Sequence, residues 1–381
     1  MDIDVFFNPI EQLEVQPESL GSFVDSYNET FPNWENNDVV FFTVDNNESK
    51  PKDGKNTSVD PFRSYLYELF LTKAVSIADL GVFIAGKNKK DTTTAIKEIT
   101  SAITSKGKLL IIIGGEQELT YANFLGYEKL EQLVNLVVID QKLNLLVDDK
   151  SDLNSSNFLN HILLHEPNYL FNFSQLCSQN YFISKAQLKF LDDLYFDLIR
   201  LGDIQADVKT AEPHLRNADL LSIDLSSIRK SEFNGANDAG PNGLFGNEIC
   251  QLMKYAGLSD KLSSVGIYNF HNNALFQEDA MLIAQMVYFL ISGFSERKGD
   301  FPIGTKHEHL KYVVFHEELK HDMVFHKSPK SDRWWLEVPY PPIKEFKFER
   351  HHLIPCDYED YQNAVEGIIP DLWWRTYRKL N

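Results

Sequence analysis

Three largely apolar runs punctuate the chain, and each ends in a cluster of polar residues. Leu109 to Ile113 runs straight into Gly114-Gly115-Glu116-Gln117-Glu118. Leu133 to Ile139, interrupted only by Asn135, runs into Asp140-Gln141-Lys142-Leu143-Asn144. A third run, from Ala218, carries Ser222, Asp224 and Ser226. Short apolar runs without alternation predict strands covered on both faces, as in parallel sheets. Polar groups just past such strands lie at the rim where open α/β sheets bind ligands.

Helical spacing separates the runs. Pro61 to Val75 predicts a helix with Asp60 as its N-cap, and Thr92 to Ser105 a second through Ile96, Ile99 and Ile103. Further helices are expected over Thr120–Leu130, Phe158–Cys177, Lys185–Leu201 (capped by Ser184), Leu244–Gly257 and Gln277–Gly293. Strands are expected at Asp38–Val44, Ile77–Gly81, Asn180–Ser184 and Leu262–Phe270. Polar loops fill Asp45–Asp60, Asp148–Asn157 and Arg229–Gly243. Alternating strands and helices from Asp38 to Phe294 predict βα units, hence a three-layer α/β/α domain with a mostly parallel sheet. We place that domain over residues 1–294.

From residue 295 to 381 the pattern changes. HLKYVVFHEEL and DMVFHKSPKSDRWWLEV read as strands, with Ser328 to Asp332 as a turn. Trp334, Trp335, Trp373 and Trp374 lie here, so a β-containing C-terminal extension is expected to pack on the main domain or on a second copy.

Composition narrows the function classes. The formal net charge is -18, which argues against nucleic acid and anionic membranes. Acidic residues occupy the first positions where a signal peptide has bases. Three scattered cysteines, Cys177, Cys250 and Cys356, fit a reducing, cytoplasmic setting better than disulfides or zinc. His316-Glu317-Glu318-Leu319-Lys320-His321 is one residue too long for the H-E-x-x-H zinc pattern and reads as surface. His351, His352 and Cys356 do not converge on extended backbone.

Taken in order, the rim sequences resemble the ureohydrolase family of arginases, agmatinases and formiminoglutamases, whose metal motifs read G-G-D/E-H-S, D-A-H-x-D and S-x-D-x-D. Asp79-Leu80-Gly81 and the stretch Asn237 to Gly257 also resemble that family. The resemblance implies an arginase-like fold and, in active members, two manganese ions. Its six ligand positions fall on Gln117, Asp140, Lys142, Asn144, Asp224 and Ser226, and only Asp140 and Asp224 keep the family residue. Manganese prefers carboxylate and imidazole. We therefore expect vestigial metal positions, no catalytic residues, no cofactor, and a non-catalytic homologue acting by binding a small molecule or protein. Glu116, Glu118 and Glu248 are the expected ligand-pocket residues, Glu248 because it falls where the family's guanidinium-binding glutamate lies. The Lys142 ammonium is expected between Asp140 and Asp224, in place of the metal charge. The alternative is a divergent hydrolase of guanidino or formimino compounds such as formiminoglutamate, using manganese. The resemblance also leaves a homo-oligomer open.

Overall fold

The computed structural model describes residues 3–45, 61–146, 151–270, 276–304, 306–341 and 348–381. The expected loop at Asp45–Asp60, with its Asp60 cap, falls almost wholly outside these residues, as does part of the Asp148–Asn157 loop.

In chain order the elements are β1 (Phe7–Asn8), β2 (Val24–Ser26), β3 (Val39–Asp45), α1 (Pro61–Glu68), β4 (Ile77–Ile84), α2 (Lys89–Thr104), β5 (Leu109–Ile113), α3 (Leu119–Leu125), β6 (Val134–Ile139), α4 (Phe158–Leu163), β7 (Leu170–Ser178), α5 (Lys185–Asp193), β8 (Asp197–Arg200), α6 (Leu201–Ala206), α7 (Glu212–Asn217), β9 (Leu220–Asp224), α8 (Gly246–Gly257), β10 (Ser264–Tyr268) and α9 (Gln277–Phe294). They form one large sheet ordered β1-β4-β3-β5-β10-β9-β6-β7-β8, with β2 also paired to β4. All pairings are parallel except that of β1 with β4.

Strand β5 shows why its sequence lacks alternation. Leu109, Ile111 and Ile113 pack into the layer holding α1, α8 and α9, whereas Leu110 and Ile112 pack towards α2 and α3. Both faces are covered, so every position must be apolar.

Several expected elements differ; the helix foreseen over Pro61–Val75 stops at Glu68, and that over Thr120–Leu130 stops at Leu125. The helix foreseen over Phe158–Cys177 stops at Leu163, and its second half is the buried strand β7. Asn180–Phe182 is a 3₁₀ turn rather than a strand. Ser184 does cap α5 in a reciprocal capping box with Gln187, but the helix ends at Asp193 and the chain turns into β8. Strand β7 is amphipathic, and its polar members escape recognition because distant groups satisfy them. Ser174 Oγ and Asn172 Nδ2 donate to Asp197 (3.0 and 3.1 Å), and Gln175 Nε2 donates to the Asp140 carbonyl (2.8 Å).

Beyond α9 lies a separate antiparallel sheet of β11 (Leu310–His316), β12 (His321–Lys327), β13 (Trp334–Glu337) and β14 (Leu353–Cys356), in that spatial order. Trp334 and Trp335 are buried. Arg216 of α7 donates to the carbonyls of Trp334 (3.1 Å) and Cys356 (2.9 Å), and its guanidinium lies 4.8 Å from the Trp335 ring centre. The last helix, Asp371–Leu380, reaches the β8 edge of the main sheet through Arg375, which donates to the Phe196 carbonyl (2.8 Å).

Candidate functional site

The sheet order leaves a gap between β5 and β6 that β10 and β9 fill later in the chain. Ligand crevices form at such switch points. Gln117 follows β5, Asp140 follows β6, Asp224 closes β9 and Asn269 follows β10, so four neighbouring strands aim polar groups at one point. The turn that presents Gln117 needs glycine. Gly114 has φ +99°, and a β-carbon there would lie 2.9 Å from the Val44 carbonyl oxygen.

These side chains form a closed cluster. Gln117, Asp140 and Asp224 are 0%, 1% and 6% exposed. Asp140 accepts the Lys142 backbone N–H on Oδ1 (2.9 Å) and Asn144 Nδ2 on Oδ2 (2.7 Å). Asn144 Nδ2 also donates to Gln117 Oε1 (2.6 Å). Asp224 accepts Asn269 Nδ2 (2.8 Å) and the Ser226 backbone N–H (2.7 Å). Amides and backbone N–H groups thus donate to both oxygens of Asp140 and to Oδ1 of Asp224.

One contact pairs acceptor with acceptor: the Gln117 carbonyl oxygen stands at about the same point from which a rotated amide would reach Asp140 Oδ2 at 3.0 Å and Asp224 Oδ2 at 3.3 Å. Rotating that amide alone would bring two NH₂ groups to 2.6 Å against Asn144. A proton on Asp140 satisfies the contact without opposing donors. Burial first, and then the Asp224 charge, hold the Asp140 carboxyl well above the usual carboxylate range. Burial also raises Asp224, while Asn269 and Ser226 pull it back. Of the two, Asp140 is held the further above the usual range, so it is the member that binds a proton more tightly.

Lys142 does not enter the cluster. Its ammonium bonds Asp238 (3.0 Å) at a partly exposed position and sits 5.5 Å from the centre of the Phe182 ring. The expected bridge between Asp140 and Asp224 is corrected: Lys142 contributes its backbone N–H, and the loop holding Asp238 captures its charge. That loop is fastened to the rim by Gln141 Nε2, which donates to the Asp238 carbonyl (2.8 Å), and by Gln179 Nε2, which donates to that of Asn242 (3.2 Å).

The glutamates expected in a ligand pocket lie elsewhere. Glu116 and Glu118 line a depression of about 270 Å³ beside Asn88 and Lys89, and Glu118 pairs with Lys89 at 2.8 Å. Glu248 accepts the Phe245 N–H (2.9 Å) in the first turn of α8 and faces a different depression, of about 720 Å³, between α8 and α9. Ser178, Gln179, Asn180, Arg200, Arg229 and Asn242 line a further one, of about 500 Å³, at the carboxyl ends of β7 and β8. Arg200 and Arg229 carry no motif that sequence reading could have used. His316 is buried, not at the surface, with Nε2 2.9 Å from the Gly367 carbonyl oxygen.

Asp79, matched to the family's D-L-G, holds a structural pairing. Arg63 bonds both its oxygens (2.7 and 2.9 Å), Tyr67 Oη donates to Oδ2 (2.7 Å), and the Gly81 N–H donates to Oδ1 (2.9 Å). Both charges are buried and their partners converge, the condition for a tolerated buried ion pair.

The donor set does not fit a manganese pair. Both oxygens of Asp140 and Oδ1 of Asp224 accept N–H donors, and imidazole is missing from the six positions. Among the described residues, no group of three His, Cys, Asp or Glu side chains is placed to hold a metal ion.

A three-layer α/β fold with polar strand ends at its switch point is the architecture of the ureohydrolases, and the comparisons agree. The model of the arginase family matches residues 49–288, and the chain belongs to that family. Formiminoglutamase from Trypanosoma cruzi, solved with Mn2+2, superposes with a TM-score of 0.61 at 17% identity, covering 74% of this chain and 99% of that one. Formimidoylglutamase from Bacillus subtilis gives 0.62 at 14%, covering 75% and 95%. Agmatine ureohydrolase from Thermoplasma volcanium gives 0.56 at 18%, covering 74% and 95%. No curated protein matches this sequence. No helix among the described residues is long and apolar enough to cross a membrane.

Proposed function

We propose that this chain is a non-catalytic member of the arginase family that acts by binding a small molecule or protein. Gln117, Asp140, Lys142, Asn144, Asp224 and Ser226 are then vestigial metal positions, and no metal cofactor is needed. The observation that carries this reading is the buried, hydrogen-bonded carboxylate pair that occupies the switch point. Two divalent ions would bring +4 to a buried cluster whose two carboxylates supply at most -2, and uncompensated buried charge is costly. Each ion would also have to displace amide donors from the same oxygens. The depression with Arg200 and Arg229 gives a polar ligand a place beside the silent cluster. Cys177, Cys250 and Cys356 are buried and unpaired, which suits a reducing, cytoplasmic location.

The test is metal analysis of protein purified with manganese present, followed by assays for urea, ammonia and formamide release from arginine, agmatine and formiminoglutamate. The expected result is far less than one ion per chain and no release above buffer. Stoichiometric manganese lost on Asp140→Ala, or metal-dependent turnover, would instead establish the hydrolase.

A further inference from the structure

We infer that β11 is a self-pairing edge through which two copies of this chain join their C-terminal sheets. Open strand edges are templates for another strand, and folded proteins normally cover, charge or interrupt them. The two edges of this sheet are treated differently. Strand β14 is covered by α7, with Arg216 bonding the Cys356 carbonyl. Strand β11 pairs only with β12 and has no strand on its other side among the described residues. It contains no proline, and its register with β12 is continuous over seven pairs, Leu310↔Lys327 to His316↔His321, so no bulge bends it away.

The side chains along this edge are those of an interface. Tyr312 and Val314 point into the extension's core. Lys311, Val313 and Phe315 point outward, and Val313 and Phe315 are 52% and 62% exposed. Glu317, the first residue of the following turn, is exposed on the same alternation. Antiparallel pairing about a two-fold axis at Val314 sets Val314 opposite itself, Val313 opposite Phe315, and Lys311 opposite Glu317. Both kinds of outward contact become complementary at once, and symmetry supplies each twice. Neither Lys311 nor Glu317 has an ion-pair partner among the described residues of its own chain. The product is a continuous eight-stranded sheet, the strand-addition mode of recognition with a second copy as the added partner. The formal net charge of -18 opposes association. At physiological salt that repulsion is screened beyond about 8 Å, while the short Lys311–Glu317 contacts persist.

Analytical ultracentrifugation of the full chain at physiological salt, from about 1 to about 100 µM, tests this. Wild type is expected to be a concentration-dependent dimer. Lys311→Glu sets like charges opposite each other and should weaken association at least about tenfold, while the thermal melt stays unchanged at a concentration where both proteins are monomeric, because the site is exposed. Lys311→Glu combined with Glu317→Lys should restore the dimer. A monomeric wild type across the range overturns the inference. So does a dimer indifferent to Lys311→Glu, or a double variant that stays monomeric.

Discussion

Replacing Asp140 by Asn separates a silent hydrogen-bonded cluster from a metal site. In the folded protein the Asp140 carboxyl is held well above its usual range, by burial and then by Asp224. The folded state therefore binds a proton more tightly than the unfolded chain, in which Asp titrates near about 3.9. The sign follows. Stability from this group is fully present below about pH 4 and falls as pH rises towards the elevated folded-state pKa, by up to about 1.4 kcal/mol per pH unit. Asparagine mimics the protonated acid. Its carbonyl keeps the Lys142 N–H (2.9 Å in the wild type), and its amide takes the place of the acid proton against Gln117. Its amide nitrogen also stands where Asp140 Oδ2 accepts Asn144 Nδ2 at 2.7 Å, so that bond is lost and Asn144 must turn away, at about 1–3 kcal/mol. Asp140→Asn should therefore be about 1–3 kcal/mol less stable than wild type at pH 5. That deficit should shrink towards pH 8, because the variant has nothing to ionise. Urea denaturation at pH 5, 6, 7 and 8 reads both quantities. Parallel pH profiles for the two proteins would refute the tightly held proton on Asp140. A loss of more than about 3 kcal/mol at pH 8, reversed in wild type by added manganese, would refute the cluster itself.

The remaining predictions use the same unfolding measurement. Lys142→Ala should change stability by only about 0–1 kcal/mol, since its partner Asp238 is largely exposed; a loss of several kcal/mol would place its charge in the cluster after all. Asp79→Ala strips four donated hydrogen bonds from a buried arginine network and should cost about 3–5 kcal/mol. A change below about 1 kcal/mol would show that water replaces the carboxylate. Ser184→Ala removes the α5 cap and should cost about 1 kcal/mol, whereas Ser184→Asp should preserve it.

The sequence determined the layered fold and the identity of the rim, for a local reason. Strands β5, β6 and β9 are covered on both faces, so burial leaves a continuous apolar signature whose end marks the rim. The ligand positions fall at or just after the ends of those runs, so Gln117, Asp140 and Asp224 could be placed on one rim before any coordinates. Local sequence also fixed the α5 start at Ser184, because a capping box lies within four residues. What it missed was decided at long range. Strand β7 was hidden because Asn172 and Ser174 are polar yet satisfied by Asp197, a residue on the next strand. The direction of Lys142 depended on Asp238, 96 residues away, which offers a half-solvated carboxylate outside the cluster. An ammonium keeps part of its hydration there, and inside it would not. Two of the glutamates near the motifs have local partners instead: Lys89 for Glu118, and the first turn of α8 for Glu248. Periodicity records which faces are buried. Which polar groups meet is set by the order in which the strands are laid side by side, and that order exists only in the tertiary structure.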